Sequence, residues 1–373
     1  MGRKTIRLYS VNKVTIKPQW SLTREGGGTL MPRLIELLRL VQQHGSLARA
    51  CEASGLSYRH AWQMVREGHA LFGAPLLRMS PGRNSTLAPL GEKLVWADRR
   101  ITARLTPLFE SIASELEAEI AQAMEEPPAV LRLHASHGFS IEILQQQLAA
   151  DGMQLEWKYC TGIEAVSAMT SWQCDVAGLH VPHGEFEAAG VEHYRPWLRP
   201  GEQMLIDVST RRQGLMLQAG NPLRVRGMAD LARMDVRFVS RDPGSGTRLL
   251  LDLLLQQAGV DPAGPVGHAP CERTHAAVAA YVASGMADAG FGVETAARRF
   301  ELEFIPLQTE QYFLLCDEAF FDTPAMQQLV AVLGSEEFRA AANQLPGYDA
   351  RHAGEVHRLE DAFAGLGLAR RGG

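Results

Sequence analysis

Apolar residues recur with three different spacings along the 373-residue chain. Between residues 31 and 72 they recur every three or four positions in short stretches, which predicts short amphipathic helices. Residues 89–123 carry a longer stripe of the same spacing, which predicts one long helix, or two if Pro107 interrupts it. From residue 129 onward, short apolar strands alternate with helical patterns, as in a mainly parallel sheet. The predicted fold class is therefore α/β, preceded by an all-α head.

Breaks in these patterns predict the domain boundaries. Residues 3–22 alternate apolar and polar positions ahead of a glycine run, which predicts a hairpin or an arm. A Glu-Glu-Pro-Pro sequence at 125–128 ends the long helical pattern and indicates a linker. The predicted parts are an N-terminal arm or hairpin at 1–29, a head at 30–88, a dimerisation or linker helix at 89–128, a larger domain at 129–355, and a C-terminal tail at 356–373.

The head carries the pattern of a helix-turn-helix. Ser46 is a good N-cap for a helix at 47–54, and a tight turn at 55–57 precedes a second helix at 58–71 that Ser57 can cap. Ala61, Trp62 and Val65 are predicted on the inner face of that helix. A strand-turn-strand wing follows between residues 75 and 87. The alternative is a purely structural helical hairpin with solvated basic residues.

Polar residues on the second helix and the wing are the candidate DNA contacts, because such groups meet base edges and phosphates. They are Ser57, Tyr58, Arg59, Gln63, Arg66, Arg78, Arg83, Asn84 and Ser85. Charge favours the DNA interpretation. Residues 1–105 hold 17 basic and 6 acidic residues, a net of +11, whereas the remainder holds 20 and 36, a net of −16. Only the N-terminal third suits a polyanion.

Composition limits the other function classes. The 46% hydrophobic content supports two or three cores, and neither a membrane span nor a signal peptide is evident, so we expect a cytoplasmic protein without a membrane partner. The five cysteines are scattered without a CxxC pair, which favours buried thiols over disulfides or a zinc ribbon. We expect no metal site and no covalent cofactor.

The segment Arg241-Asp242-Pro243-Gly244-Ser245-Gly246-Thr247 follows an apolar strand and precedes a helical run. Backbone N–H groups at a helix N-terminus, flanked here by guanidinium groups, favour an anion. Similar loops follow other predicted strands, and we expect them to meet at a cleft. The candidate ligand residues are Ser136, His137, Thr161, Gly178, Arg241, Ser245, Gly246, Thr247, Arg248, Thr274 and His275. Alternatively, His137 and His275 are capping or exposed residues, and Arg248 is a solvated first residue of its helix.

Two resemblances join these observations. The segments Gly45-Ser46-Leu47-Ala48-Arg49-Ala50 and Gly55-Leu56-Ser57-Tyr58-Arg59-His60-Ala61-Trp62 resemble the winged helix-turn-helix of LysR-type regulators, and most closely that of ModE-type molybdate-responsive regulators. Residues 129 to about 350 resemble a bilobed periplasmic-binding-protein-like domain found fused to such heads and to molybdopterin-biosynthesis proteins. The segments that carry this second resemblance include Gly220-Asn221-Pro222, Gly244-Ser245-Gly246-Thr247-Arg248 and Ala287-Asp288-Ala289-Gly290-Phe291-Gly292.

The second resemblance implies two lobes joined by crossing strands, near Met204 to Gln218 and Phe304 to Cys316, which close around a ligand. The chain departs from the ModE pattern because a bilobed domain replaces the small molybdate-binding barrels. Molybdate, tungstate, a small carboxylate such as formate, and a phosphate-bearing pterin all remain open as the effector.

Together these observations predict a one-component transcription regulator that binds operator DNA as a homodimer or tetramer and senses a small anion. The apolar stripe at Leu94, Ile101, Leu105, Leu108, Ile112, Leu116 and Ile120 is expected to pair with its two-fold mate. A second interpretation is a DNA-binding protein whose bilobed domain serves only in assembly. An enzyme is the third, using Ser245, His137, His275 and Asp288, but no nucleophile elbow, P-loop or metal-spaced His/Glu pair supports it.

Overall fold

The computed structural model describes residues 13–23, 29–30, 32–79, 84–123, 130–264 and 266–363. Contacts between Cα atoms divide the chain into two units, residues 17–106 and residues 1–16 with 107–373. Each unit is described separately below. The long helix α4, Pro89–Gln122, contributes residues to both.

The smaller unit is a winged helix-turn-helix. Its elements are β1 (Leu22–Thr23), β2 (Thr29–Leu30), α1 (Pro32–His44), α2 (Leu47–Ser54), α3 (Tyr58–Phe72), β3 (Leu77–Met79), β4 (Ser85–Leu87) and the start of α4. Gly55 ends α2 in the left-handed region, at φ 67°, which lets the chain turn sharply into α3. Ser57 then caps α3 by accepting from the amide of His60, as predicted. Strands β3 and β4 pair antiparallel and form the wing.

Two features of this unit differ from expectation. Trp62 is 37% exposed, because the buried stripe of α3 runs through Ala61, Met64, Val65 and Gly68, about a quarter-turn away from it. Ser46 precedes α2 but its side chain makes no cap hydrogen bond.

The predicted N-terminal hairpin over residues 3–22 is only partly within the described ranges, since residues 1–12 lie outside them. Residues 13–21 form no strand, although their side chains alternate between half-buried and exposed. Two contacts to α4 explain the extended chain: the Val14 amide donates to Glu117 at 2.6 Å, and the Trp20 indole donates to Asp98 at 3.0 Å. The strands that follow this segment, β1 and β2, pair antiparallel.

The larger unit contains a mixed sheet and helices. Its N-terminal half holds β5 (Leu131–Ala135), α5 (Phe139–Ala150), β6 (Leu155–Tyr159), α6 (Gly162–Thr170), β7 (Val176–Pro182), α7 (Glu187–Tyr194) and β8 (Gln203–Leu217). Next come β9 (Phe238–Arg241), α8 (Gly246–Gln257), β10 (Cys271–Glu272), α9 (His275–Ala283), β11 (Ala289–Val293), α10 (Glu294–Arg299) and β12 (Glu303–Asp317). The chain continues through α11 (Glu318–Phe321), α12 (Pro324–Leu333), α13 (Glu336–Asn343), β13 (Tyr348–Asp349), β14 (Val356–Arg358) and α14 (Leu359–Ala362).

The strand order is β10-β9-β11-β8-β12-β7-β5-β6, with β13 and β14 also paired to β8. The two 15-residue strands β8 and β12 are antiparallel neighbours at the centre, which confirms the predicted crossing strands. We call β5–β7 with their helices and α11–α14 lobe 1, and β9–β11 with α8–α10 lobe 2. Apolar clusters around Trp157 and Tyr194 fill lobe 1, and clusters around Phe291 and Val278 fill lobe 2.

Two boundary predictions are refined. Helix α4 continues without interruption through Pro107, so the alternative of two helices is excluded. Residues 356–363, predicted as the start of a tail, are folded onto the larger unit, because β14 pairs with β8, and Leu359 and Phe363 are buried in lobe 1. The Glu-Glu-Pro-Pro segment at 125–128, predicted to end the long helix, lies outside the described ranges, as do residues 364–373.

Candidate functional site

Three of the buried polar side chains on the crossing strands form one hydrogen-bond network. Arg211 of β8 and Glu310 of β12 are directly opposite in the strand register, and Arg211 Nε donates to Glu310 Oε1 at 2.6 Å. Gln213, two residues further along β8, donates from Nε2 to the same oxygen at 2.8 Å and to Thr247 Oγ1 at 3.2 Å. Thr247 is the second residue of α8, so this network joins the crossing strands to lobe 2.

Arg241, at the end of β9, is a second buried guanidinium in this region. Only 6% of the residue is exposed, and Nε and Nη1 have no hydrogen-bond partner among the residues that the structure describes. Burial, together with the positive charge of Arg211, lowers the pKa of Arg241 to about 10. It therefore remains protonated at neutral pH. Buried, unpaired N–H donors on a cation are costly unless a ligand satisfies them.

Three histidines lie near this cation. His137 follows β5, His180 is on β7, and His275 begins α9. Burial and the charge of Arg241 lower the pKa of His137 to about 4, and burial and the two arginine charges hold the pKa values of His180 and His275 well below the ordinary range. All three imidazoles are therefore neutral at pH 7, each with one donor and one acceptor nitrogen.

Two of these imidazoles present nitrogens without partners. His180 Nε2 and His275 Nδ1 are buried and make no hydrogen bond within the described part of the chain. The His180 ring is stacked on Tyr312 of β12 at 3.9 Å between ring centroids, and the Tyr312 hydroxyl also lacks a partner there. Lobe 1 and lobe 2 therefore each contribute an imidazole with an unsatisfied nitrogen, close enough to Arg241 for its charge to lower the pKa.

The predicted loop residues occupy helix N-termini. Thr161 caps α6 in a reciprocal capping box with Glu164, Ser245 caps α8, and Thr274 caps α9. Gly246 and Thr247 are the first two residues of α8. Each of these helices follows the carboxyl end of a strand, where N–H groups favour anions.

Two other predicted residues have a different environment. Gly178 is within strand β7 rather than in a loop, and a Cβ there would lie 2.4 Å from the Tyr312 hydroxyl oxygen, so the glycine provides space for that ring. Ser136 is half-buried in the loop between β5 and α5, next to His137.

Arg248 differs most from expectation. Its Nε donates to Asp252 Oδ1 at 2.8 Å, one turn along α8, and its Nη1 donates to Ser240 at 3.2 Å. The side chain is therefore paired rather than solvated, and its Nε and Nη1 donors are already occupied. Of the two arginines that flank the predicted anion loop, the structure leaves Arg241 with unpaired donors.

Sequence reasoning missed four central residues. The missed residues are Arg211, Gln213, Glu310 and Tyr312. They belong to β8 and β12, and charged residues in strands at the centre of a sheet are rarely buried unless they are paired. The presence of Arg211 and Glu310 in the two predicted crossing strands was the available signal.

Ser245 is not arranged as a nucleophile. Its hydroxyl donates to the Asp242 carbonyl at 2.8 Å and accepts from the Arg248 amide at 3.2 Å, which is the arrangement of a helix cap. The neutral imidazoles, the two unpaired donors of Arg241 and the helix N-termini are suited to holding an oxyanion.

The head has its own candidate interface. Ser57, Tyr58, Arg59, Gln63 and Arg66 are all exposed on the start and outer face of α3, and Gln63 donates to Glu67 at 2.9 Å. On the wing, Arg78 and Asn84 are exposed, whereas Ser85 is 1% exposed. Ser85 therefore cannot reach DNA, because it lies on the inward face of β4. Arg83 lies outside the described residues.

Comparison with known proteins agrees with the fold of the larger unit. Residues 144–334 match the PBP superfamily domain. The chain is 35% identical over 199 residues to the uncharacterized protein YvgK of Bacillus subtilis strain 168, covering 53% of this chain and 64% of YvgK. It thus spans slightly less than two thirds of that relative. It is also 30% identical over 102 residues to the molybdenum-pterin-binding protein MopB of Rhodobacter capsulatus, covering 26% and 38% of the two chains.

The chain also matches solved structures at low TM-scores. The Corynebacterium glutamicum OxyR C206 mutant has a TM-score of 0.43 at 11% identity, covering 84% of this chain and 92% of that chain. CbnR, a LysR family transcriptional regulator, has a TM-score of 0.38 at 15% identity, covering 80% and 98%. Within the described ranges, no helix has both the length and the apolar character needed to cross a membrane.

Proposed function

Because the chain belongs to the PBP superfamily through residues 144–334, we propose that it is a one-component transcription regulator. It binds a small anion between the two lobes and operator DNA through the winged head. The observation that carries the sensing half is Arg241, a buried cation with two unpaired donor nitrogens. The head and the positive net charge of residues 1–105 support the DNA-binding half.

A small oxyanion fits the charges of the cleft. Arg241 keeps two donor nitrogens unpaired even though the charges of Asp242, Glu310 and Glu272 act on it, and the N-termini of α8 and α9 add partial positive charge. Molybdate and tungstate are the first candidates, since the chain is similar to a molybdenum-pterin-binding protein. Formate, as a small carboxylate, is supported by the chemistry of the cleft alone.

Two other functions remain as alternatives to anion sensing. A pterin-type cofactor would bring its own phosphate to Arg241, and the similarity to MopB supports testing it. In an assembly role the lobes would bind nothing, although the unpaired donors of Arg241 count against this alternative. Catalysis is not proposed, because the hydroxyl of Ser245 is committed to a helix cap.

Helix α4 supports a homodimer. Four of its large apolar side chains, Leu108, Ile112, Leu116 and Ile120, recur every four residues and are 53%, 37%, 38% and 43% exposed. Such a stripe on one face of a long helix is suited to the same stripe on a second copy. A dimer would present two winged heads to one palindromic operator.

The first test is a thermal-shift panel of the purified protein against molybdate, tungstate, sulfate, phosphate, formate and acetate. A ligand at about 100 times its Kd stabilises the folded state by about 2.7 kcal/mol. One selective anion that also changes DNA affinity supports the proposal, and linkage requires DNA to change anion affinity by the same factor. No shift with any anion would favour the cofactor or assembly alternatives.

A further inference from the structure

A second group of polar side chains lies outside the anion cleft. Asp207 is on β8, Glu355 precedes β14, and His357 is on β14. One ligand atom from each lies within 4.8 Å of the other two. Asp207 is four residues before Arg211, which corresponds to about 13 Å along an extended strand. This group is therefore separate from the anion cleft.

Neighbouring side chains orient both carboxylates. Gln311 donates from Nε2 to Asp207 Oδ1 at 2.7 Å, and His352 Nδ1 lies 2.8 Å from Glu355 Oε1. The other Asp207 oxygen, Oδ2, lies 2.7 Å from His357 Nε2. Residues that hold one oxygen of a carboxylate while the other remains available are typical of the outer partners of metal sites.

The backbone also fixes this arrangement. The Asp207 amide donates to the Glu355 carbonyl at 2.9 Å, and the Gly354 amide donates to the Asp207 carbonyl at 2.9 Å. Asp207 is 6% exposed, whereas the side chain of His357 is 39% exposed. The buried carboxylate thus has a fixed position, and the imidazole can move by a few tenths of an ångström.

We propose that Asp207, Glu355 and His357 bind a divalent first-row transition ion, for which Zn²⁺ is the probe. Two carboxylates balance the charge of the ion, and imidazole nitrogen favours these ions over Mg²⁺ and Ca²⁺. Ligand distances of about 2.0 to 2.2 Å in tetrahedral geometry separate neighbouring ligand atoms by about 3.3 Å. His357 therefore moves away from Asp207 by about 0.6 Å, and a water molecule completes the coordination.

The sequence did not indicate this site, because Asp207 and His357 are 150 positions apart. His352, Glu355 and His357 are close along the chain, but their spacing does not correspond to a metal-binding sequence motif. In the fold, a bound ion joins β14 to the crossing strand β8. The metal is therefore a structural link between the C-terminal strand and the strand that connects the lobes.

The test uses untagged full-length protein, treated with EDTA and dialysed, in titrations with Zn²⁺ and Co²⁺. We expect saturable binding at one ion per chain and, for Co²⁺, the visible absorption of a low-symmetry four- or five-coordinate site. Asp207→Asn and His357→Gln should each weaken Zn²⁺ binding at least about 10-fold, and Gln311→Ala about 10- to 100-fold. His183→Gln, at an exposed histidine outside the group, is the matched control.

His357→Gln decides the result if Asp207→Asn fails to fold, because His357 is partly exposed. Circular dichroism establishes that each variant is folded before titration. Equal Zn²⁺ affinity in the wild type and His357→Gln would overturn the site, as would the lack of saturable binding. Tighter binding of Ca²⁺ than of Zn²⁺ would overturn the choice of a transition ion.

Discussion

Arg211 and Glu310 form a buried ion pair across the two crossing strands, with Nη2 and Oε1 2.5 Å apart. The guanidinium is 4% exposed and the carboxylate 1%. Burial acts to lower the pKa of Arg211, but the charge of Glu310 and the nearby Tyr348 outweigh it, so the pKa is raised. Glu310 already accepts from Arg211 and Gln213, and its charge, with those of Asp242 and Glu272, offsets only part of the effect of burial on Arg241. The strand pair therefore leaves the Nε and Nη1 donors of Arg241 for a ligand.

Glu310→Gln should destabilise the protein strongly. Removing one member of a buried pair leaves the other charge uncompensated, at a typical cost of about 3 to 5 kcal/mol. Urea unfolding at pH 7 measures this free energy. The double variant Arg211→Met/Glu310→Leu removes both charges and should recover most of the loss. A loss below about 1 kcal/mol for Glu310→Gln would show that water, rather than Glu310, solvates Arg211.

Arg241→Met should separate stability from ligand binding. The ligand-free wild type carries a buried cation with unpaired donors, so its removal should raise the free energy of unfolding by about 1 to 3 kcal/mol. The same change should abolish the stabilisation by the anion found in the panel. Thermal unfolding with and without that anion measures both effects.

Arg248→Ala is the matched control for Arg241→Met. Arg248 pairs with Asp252 and Ser240, so its removal should cost about 1 kcal/mol or less and leave anion binding nearly unchanged. The opposite result, with binding lost in Arg248→Ala and kept in Arg241→Met, would reject our assignment of the cation.

Local patterns were sufficient to predict the head, whereas the crossing strands were predicted from the resemblance to bilobed binding domains. Ser57 and Gly55 occupy positions that only caps and left-handed turns favour, so the helix bounds followed from residue type. The pairing of Arg211 with Glu310 could not be predicted, because 99 positions separate them and only the sheet register brings them together. Arg248 was a partial exception, since Asp252 lies four residues later in a predicted helix, and that spacing favours the observed pair.

Glu142 should make stability depend on pH. It is on α5, with Oε1 3.2 Å from His137 Nε2, and burial raises its pKa to about 7, with Arg299 opposing and Glu110 adding to the rise. A carboxyl whose folded pKa is raised favours folding below its unfolded pKa of about 4.3. That contribution is lost as the pH rises toward 7, because the unfolded state releases the proton first.

Comparison with Glu142→Gln isolates this effect from other groups. The variant should gain about 1 to 3 kcal/mol relative to the wild type between pH 4.5 and 7.5. Urea unfolding at half-unit pH steps measures the difference. Glu337→Gln, at an exposed position on α13, is the control. Its free energy of unfolding should show the same pH dependence as that of the wild type. A constant difference across this range would contradict the raised pKa of Glu142.

Arg59 and Arg66 should contribute to DNA binding in different ways. If Arg59, in the first turn of α3, meets a base, Arg59→Ala should cost about 1 to 3 kcal/mol and relax specificity at one position. If Arg66 meets a phosphate, Arg66→Ala should weaken binding to all DNA sequences alike. It should also reduce the slope of log K against log salt concentration by about 1. Fluorescence anisotropy on a genomic fragment selected by the protein measures both, with Arg33→Ala on α1 as control. Unchanged affinity in both variants would reject α3 as the recognition helix.

The exposed stripe on α4 should control oligomeric state. Leu108 and Leu116 are separated by about two helical turns, so both project from one face, and their exposure would be costly in a monomer. Leu108→Glu/Leu116→Glu places two like charges from each copy against each other, which should convert dimers to monomers in light scattering after gel filtration. DNA affinity should fall with dimerisation while anion binding is kept, because the cleft residues are on other elements. Glu337→Gln, at an exposed position on α13, is the control and should remain dimeric. If the double variant remained dimeric, the dimer interface could not be the stripe on α4.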